Sequence, residues 1–177
     1  MSKLPSRVKA EKILYEVGCS KRVIEHSKAV TDLAVKIARK MIEKGVNVNL
    51  KLVEVGALLH DIGRVRTRSV LHGYYGGEIA RKLNFPEPLI SIIEKHVGAG
   101  IPLDEAVKVG LPPKDFTLET LEEKIVAYAD KRIKHNRVIS FEDSVKEFKT
   151  RLGENHPAIK RLKNLHEEIC GLLGYEF

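Results

Sequence analysis

Between residues 21 and 44 the apolar side chains Val23, Val30, Leu33, Ile37 and Met41 recur every three or four positions, and His26 falls on the same stripe. That spacing is the period of an α-helix, so the segment predicts one amphipathic helix about six turns long. Shorter patterns of the same period predict helices at 50–62, 73–83, 86–97, 119–133, 141–152 and 157–173. Pro86 and Pro88 suit the opening turn of the fourth of these seven helices. No β-type alternation of any length, no repeat and no low-complexity tract interrupts them. The fold class that follows is all-α, a compact helical bundle. Residues 98–118 are rich in Gly and Pro and read as a loop with at most one short helix.

A chain of 177 residues that is 43% hydrophobic and 31% charged is long enough for one domain with a sizeable core, which excludes a disordered polypeptide. The expected organisation is one domain over 1–177, with C-terminal helices at 140–174 packed on the rest. No apolar run approaches the roughly 18 residues of a membrane span, and the N-terminal stretch MSKLPSRVKAEKILYEVG lacks the apolar core of a secretion signal. A cytoplasmic protein without a membrane partner is therefore expected. Cys19 and Cys170 are too far apart in sequence to suggest a thiolate metal site, and two buried free thiols are expected. A net charge of +7 favours anionic partners such as nucleotides, other phosphoesters and RNA. The absence of Gln and Trp beside abundant Lys and Glu leans toward a thermophilic source.

Four positions are polar where the helical pattern expects core: His26, the adjacent His60 and Asp61 in ALLHDIG, and Asp130 in AYADKR. A carboxylate facing a core is costly unless an ion-pair partner, hydrogen bonds or a metal compensates it. Two imidazoles and two carboxylates converging from three helices form a nitrogen–oxygen donor set suited to a divalent transition metal, Mn, Fe, Co, Ni or Zn. The dipeptide alone would carry little, since a helix ending in His and Asp with Gly63 as its stop is equally consistent with it.

The ordered set of His26, His60-Asp61 and Asp130 resembles the HD-domain superfamily of metal-dependent phosphohydrolases, over roughly residues 20–135, and HDIG at 60–63 matches the subgroup named after that tetrapeptide. The resemblance implies an all-α fold with one metal held by His26, His60, Asp61 and Asp130. Members with two metals add histidines between the HD pair and the last Asp, and His72 and His96 stand at matching positions. Asp61 would then bridge to a second ion. Many such members have paired histidines at the His96 position, whereas Val97 follows here, which leaves one ion or two as alternatives.

The chemistry implied is hydrolysis of a phosphomonoester or phosphodiester by metal-activated water, with Asp61 and Arg64 as catalytic residues. Arg64, Arg66 and Arg68 alternate in sequence, so on an extended loop they would point to one side and could grip phosphate oxygens. Arg22, one helical turn before His26, and Lys131, beside Asp130, complete the expected substrate-binding set of Arg22, Arg64, Arg66 and Lys131. The expected partner is a phosphate-containing small molecule, first of all a nucleotide. RNA is a second candidate without a supporting motif, since aromatic interleaving is absent. The alternative function is a nucleotide- or RNA-binding module without turnover, and the oligomeric state is open, a homodimer included. Ser27 diverges from His26 by about 100° on a helix and is no nucleophile beside it. GYYGG at 73–77 lacks the Lys-Ser/Thr of a phosphate loop, and its glycines are expected to shape a turn. His135, His156 and His166 are expected to be solvated.

Overall fold

Ser6, Ser20, Asn49 and Ser140 each turn a side-chain oxygen back onto the N–H of the third residue that follows, and so start α1 (Arg7–Glu16), α2 (Lys21–Glu43), α3 (Leu50–Leu59) and α8 (Phe141–Leu152). Thr120 and Glu123 close a reciprocal capping box at the head of α7 (Leu121–Lys131). The remaining helices are α4 (His72–Lys82), α5 (Glu87–Lys95), α6 (Leu103–Lys108) and α9 (Pro157–Leu173). The computed structural model describes residues 3–176; residues 1, 2 and 177, at the extremes of the expected 1–177 span and of the N-terminal amphipathic segment, lie outside it. Among the described residues the only strands are β1 (Ile133–Lys134) and β2 (Arg137–Val138), a two-residue hairpin too short to show as alternation in the sequence.

α3 is the centre of the bundle. Leu52, Val53, Val55, Ala57, Leu58 and Leu59 are all buried, and the helix packs against α1, α2, α5 and α7. α2 covers one side with its predicted stripe of Val30, Leu33, Ile37 and Met41. Each such aliphatic side chain contributes about 1.5–3 kcal/mol on burial. Because α3 is apolar except along the edge that carries Lys51 and Glu54, the polar residues that follow it are delivered straight into the middle of the molecule.

Two local readings differ from the structure. α3 stops at Leu59, and a short 3-10 turn, Ile62–Val65, follows, so Arg64 and Arg66 do not lie on an extended loop. The cause is a close backbone approach: a Cβ on Gly63 would stand 1.9 Å from the His72 carbonyl oxygen, so the chain turns tightly against the start of α4. The GYYGG stretch is not a turn either, but the first part of α4. Its glycines let α4 press onto α5, since a Cβ on Gly76 would meet Ile93 Cγ2 at 2.7 Å and one on Gly77 would meet Glu94 Cγ at 2.3 Å.

In the 98–118 region α6 is the one α-helix, as expected, and Ile101 and Phe116 pair through their backbones across the loop. Beneath them Ala106 and Leu111 complete a small second core. α9 packs on α7 and α2, and its Arg161 grips both carboxylate oxygens of Glu105 at 2.8 and 2.6 Å, which ties the loop to the C-terminal helices. His166 is not solvated. It is buried on α9, stacked on the Phe141 ring with centroids 3.7 Å apart and 2.8 Å from the Tyr128 hydroxyl. Cys19 is buried as expected, whereas Cys170 is half-buried.

Candidate metal centre

His26 projects from the second turn of α2, His60 and Asp61 follow the end of α3, His72 opens α4, His96 follows α5, and Asp130 lies in the last turn of α7. The six side chains converge. His26 Nε2 is 2.9 Å and His60 Nε2 3.4 Å from Asp130 Oδ1. Asp61 Oδ1 is 3.2 Å from His72 Nε2 and 3.5 Å from His96 Nε2, while Asp61 Oδ2 is 3.8 Å from His60 Nε2. One carboxylate thus presents a different oxygen to each of two neighbouring groups.

Three of the imidazoles are aimed the same way. Nδ1 of His60 donates to the Ala57 carbonyl at 2.6 Å, that of His72 to Ser69 at 2.7 Å, and that of His96 to Ile93 at 2.8 Å. With the proton on Nδ1, each neutral ring has a bare lone pair on Nε2. His72 Nε2 and His96 Nε2 then face each other at 3.1 Å with neither able to donate, and the fully buried His60 Nε2 has no hydrogen-bond partner at all. An unsatisfied buried nitrogen costs about 1–3 kcal/mol. A cation among these atoms removes both defects, and donor atoms roughly 2.0–2.1 Å from a shared ion stand roughly 3–3.5 Å from one another, in line with the separations found.

The protonation states agree with that fit. Burial would raise the carboxyl of Asp61, but the imidazoles of His60, His72 and His96 packed around it hold it well below the usual carboxylate range. Asp130 is held low against burial in the same way, by Lys131, His26 and His60. Burial pushes His96 down to about 3. His60 is drawn down by burial and raised more strongly by Asp61 and Asp130, so the two carboxylates favour a positive charge at its Nε2, whether a proton or a metal ion supplies it. Two ionised carboxylates beside buried imidazoles make a donor set for a dication. Burial also raises the nearby Cys19 thiol to about 11, with a contribution from Asp61, so it is inert.

Arg64 Nε donates to Asp61 Oδ1 at 3.1 Å and its Nη1 to the Arg68 carbonyl at 3.0 Å, so the 3-10 turn that carries Arg64 also fixes Asp61. Lys131 Nζ pairs with Asp130 and donates to the His96 carbonyl at 3.3 Å. A cavity of about 490 Å³ opens beside the centre, with His26, His72 and Asp130 in its wall next to Arg64, Arg68 and Lys131. Arg22 and Arg66 are exposed and do not line it. Arg22 sits in the first turn of α2 with its side chain in solvent, and the tight turn at Gly63 carries Arg66 outward. Sequence reasoning missed the opposite wall, formed by Phe148, Arg151 and Leu152 of α8 with His156 and Arg161. His156, expected to be solvated, caps α9 and lines the cavity, whereas His135 is exposed in the hairpin turn.

The family description "HD domain" matches residues 23–134, which contain all six converging side chains. The chain belongs to the HD-domain family. An uncharacterized protein of Methanocaldococcus jannaschii is 50% identical to it over 88% of this HD-domain chain and 92% of its own length. The tRNA (cytidine(56)-2'-O)-methyltransferase of Thermoplasma volcanium is 38% identical over 93% of this chain, which spans only 46% of that longer enzyme. Among solved structures the HD domain of the L. monocytogenes phosphodiesterase PgpH, in complex with cyclic-di-AMP, superposes with a TM-score of 0.54 over 93% of this chain and 95% of its own, at 19% identity. The last likeness concerns the helical fold. HD domains bind divalent metals, and the clustered ligand atoms of His26, His60 and Asp130, and of His60, Asp61 and His96, each lie within 4.8 Å of one another.

Proposed function

We propose that this HD-domain protein is a metal-dependent phosphohydrolase that cleaves a phosphoester of a nucleotide or related compound. The observation that carries the reading is the pair of opposed Nε2 atoms of His72 and His96 beside Asp61, which as neutral Nδ1–H rings have no proton to share between them and present their lone pairs to a common point. His26, His60, Asp61 and Asp130 would hold one ion, and Asp61, His72 and His96 a second. A bound dication of this kind supplies Lewis acidity toward water and toward a phosphoryl oxygen.

The chain's own residues then divide the remaining work. Asp61 orients the two groups of imidazoles about one carboxylate, and Arg64, bonded to it, holds that orientation while its guanidinium faces the cavity. Lys131 keeps Asp130 ionised and brings a positive charge to the wall where phosphate oxygens would lie. Arg68 takes the part that the sequence suggested for Arg66, because it lines the cavity and its side chain has no ion-pair partner among the described residues. Arg22 stands outside this scheme.

The M. jannaschii relative extends over nearly the same length as the given chain. A second reading rests on the methyltransferase relative, in which a similar domain accompanies an enzyme acting on tRNA, and places the phosphoester in RNA. Among the described residues no helix is long and apolar enough to cross a membrane. Metal analysis of the purified protein beside a screen of phosphomonoesters and phosphodiesters, nucleotides and short RNAs tests the proposal, with Asp61→Ala as the control. It expects bound divalent metal and hydrolysis, both lost in the variant. A protein without divalent metal whose activity is indifferent to D61A overturns it.

A further inference from the structure

The wall formed by α8 lies outside the residues that define the family match, which end at 134. Ser144, Glu147, Phe148, Arg151 and Leu152 line the cavity, a run at helical spacing that makes one continuous face. The face begins at the metal centre, because Ser144 Oγ donates at 2.8 Å to the carbonyl of Lys131, the residue after Asp130. It ends two turns later at Arg151, and at 1.5 Å of rise per residue that places Arg151 roughly 10 Å farther along.

The groups along this face are ordered by chemistry. Glu147 is neutralised by Lys134, and the next cavity residue is the buried ring of Phe148. Val97 and Ile101 add further apolar surface to the cavity. Arg151 lies over the Phe148 ring, 5.2 Å from its centroid, and has no ion-pair partner among the described residues. Arg161, by contrast, is fully engaged by Glu105. The cavity thus carries cationic groups at the metal end, an apolar middle, and a second unpaired guanidinium at the far end.

We infer that the cavity is built for a substrate with two anionic groups, the scissile phosphoryl at the metal centre and a second phosphate or carboxylate held by Arg151, joined by an apolar portion lying along Val97, Val109 and Leu152. This rests on the reading that a phosphoryl group sits at the metal centre. A cavity of about 490 Å³ is the size of a small-molecule site, so the substrate class is a doubly charged small phosphoester. α8 acts as a ruler that sets the distance between the two charges, and a guanidinium fork suits either anion.

The test uses alkyl phosphonates and α,ω-alkylene bisphosphonates of increasing chain length, whose carbon–phosphorus bonds resist hydrolysis, titrated calorimetrically into the Mn-loaded protein. The expected result is a preference for the bisphosphonate over the monophosphonate of equal length, peaking at one intermediate length at roughly tenfold or more. Arg151→Gln brings that ratio close to one. A preference absent at every length overturns the inference, and so does one that survives in R151Q. Tighter binding of a 5'-phosphorylated oligonucleotide that is unaffected by R151Q overturns the small-molecule assignment as well. Circular dichroism of R151Q checks that the exposed substitution leaves the fold intact. Since the titration reads binding alone, a protein that discriminates charges without turnover separates this inference from the proposed hydrolysis.

Discussion

Residues 94–96 carry two kinds of buried polar chemistry side by side. Glu94 is fully served, with Arg81 at 2.7 Å and Lys114 at 2.6 Å, and Lys95 meets Glu119 at 2.6 Å and Glu123 at 3.5 Å. His96, the next residue, has one nitrogen satisfied and the other facing a second bare imidazole nitrogen. Burial is nearly the same for all three. What separates them is completeness: a network with every charge matched holds helices together, and one with unmatched lone pairs leaves donor atoms that could hold a metal ion.

The sharpest way to break that contrast is Asp61→Ala. It removes the shared carboxylate, and hydrolysis should fall by more than about a hundredfold with loss of bound metal in elemental analysis. In the same variant, added Mn or Zn should no longer raise the melting temperature. In the wild-type chain, metal at 100 times its dissociation constant should add about 2.7 kcal/mol of stability. Unchanged melting of the wild type on adding metal would show that the lone pairs are merely tolerated.

Gly63→Ala probes how the second set of ligands is held. The added methyl collides with the His72 carbonyl, so α4 must shift, at a cost on the order of 3 kcal/mol in chemical denaturation. Metal stoichiometry should fall more than the helix content measured by circular dichroism, because His72 moves while His26, His60 and Asp130 stay.

On the satisfied side, Glu94→Ala should cost about 2 kcal/mol of stability and leave metal content unchanged, since the stranded Arg81 and Lys114 can both reach water. The pH dependence sharpens the same point with a smaller effect. Burial works against the Glu94 carboxylate, but Arg81 and Lys114 lower its pKa below the ordinary value of 4.5. The folded pKa is thus depressed, so this contribution is present above that value and is lost as the pH falls through the folded-state pKa. Unfolding curves of Glu94→Gln should be flatter with pH across that acid range than those of the wild type.

The parts legible in the sequence were those written in one helix at a time. The stripe from Val23 to Met41 and the helices at 141–152 and 157–173 appear where their apolar period puts them, because burial of one face is a local pattern. His26, His60, Asp61 and Asp130 stood out because each is polar where that pattern demands core. The turn at Ile62–Val65 was not legible, since alternating arginines look like an extended chain unless one knows that α4 lies against Gly63. The α8 wall was invisible for the same reason: Phe148 and Arg151 gain meaning only from what packs opposite them. Arg22 shares a helix with His26, yet one turn of offset at a helix start was enough to leave it in solvent.

The three imidazoles bonded through Nδ1 share one further property. Each is anchored to the carbonyl three residues before it, Ala57 for His60, Ser69 for His72 and Ile93 for His96. Their aim is therefore set by hydrogen bonds within single turns of chain. The proposed ligand geometry of these three rings thus draws on contacts of short range in the chain, and the packing of α3, α4 and α5 brings the rings together.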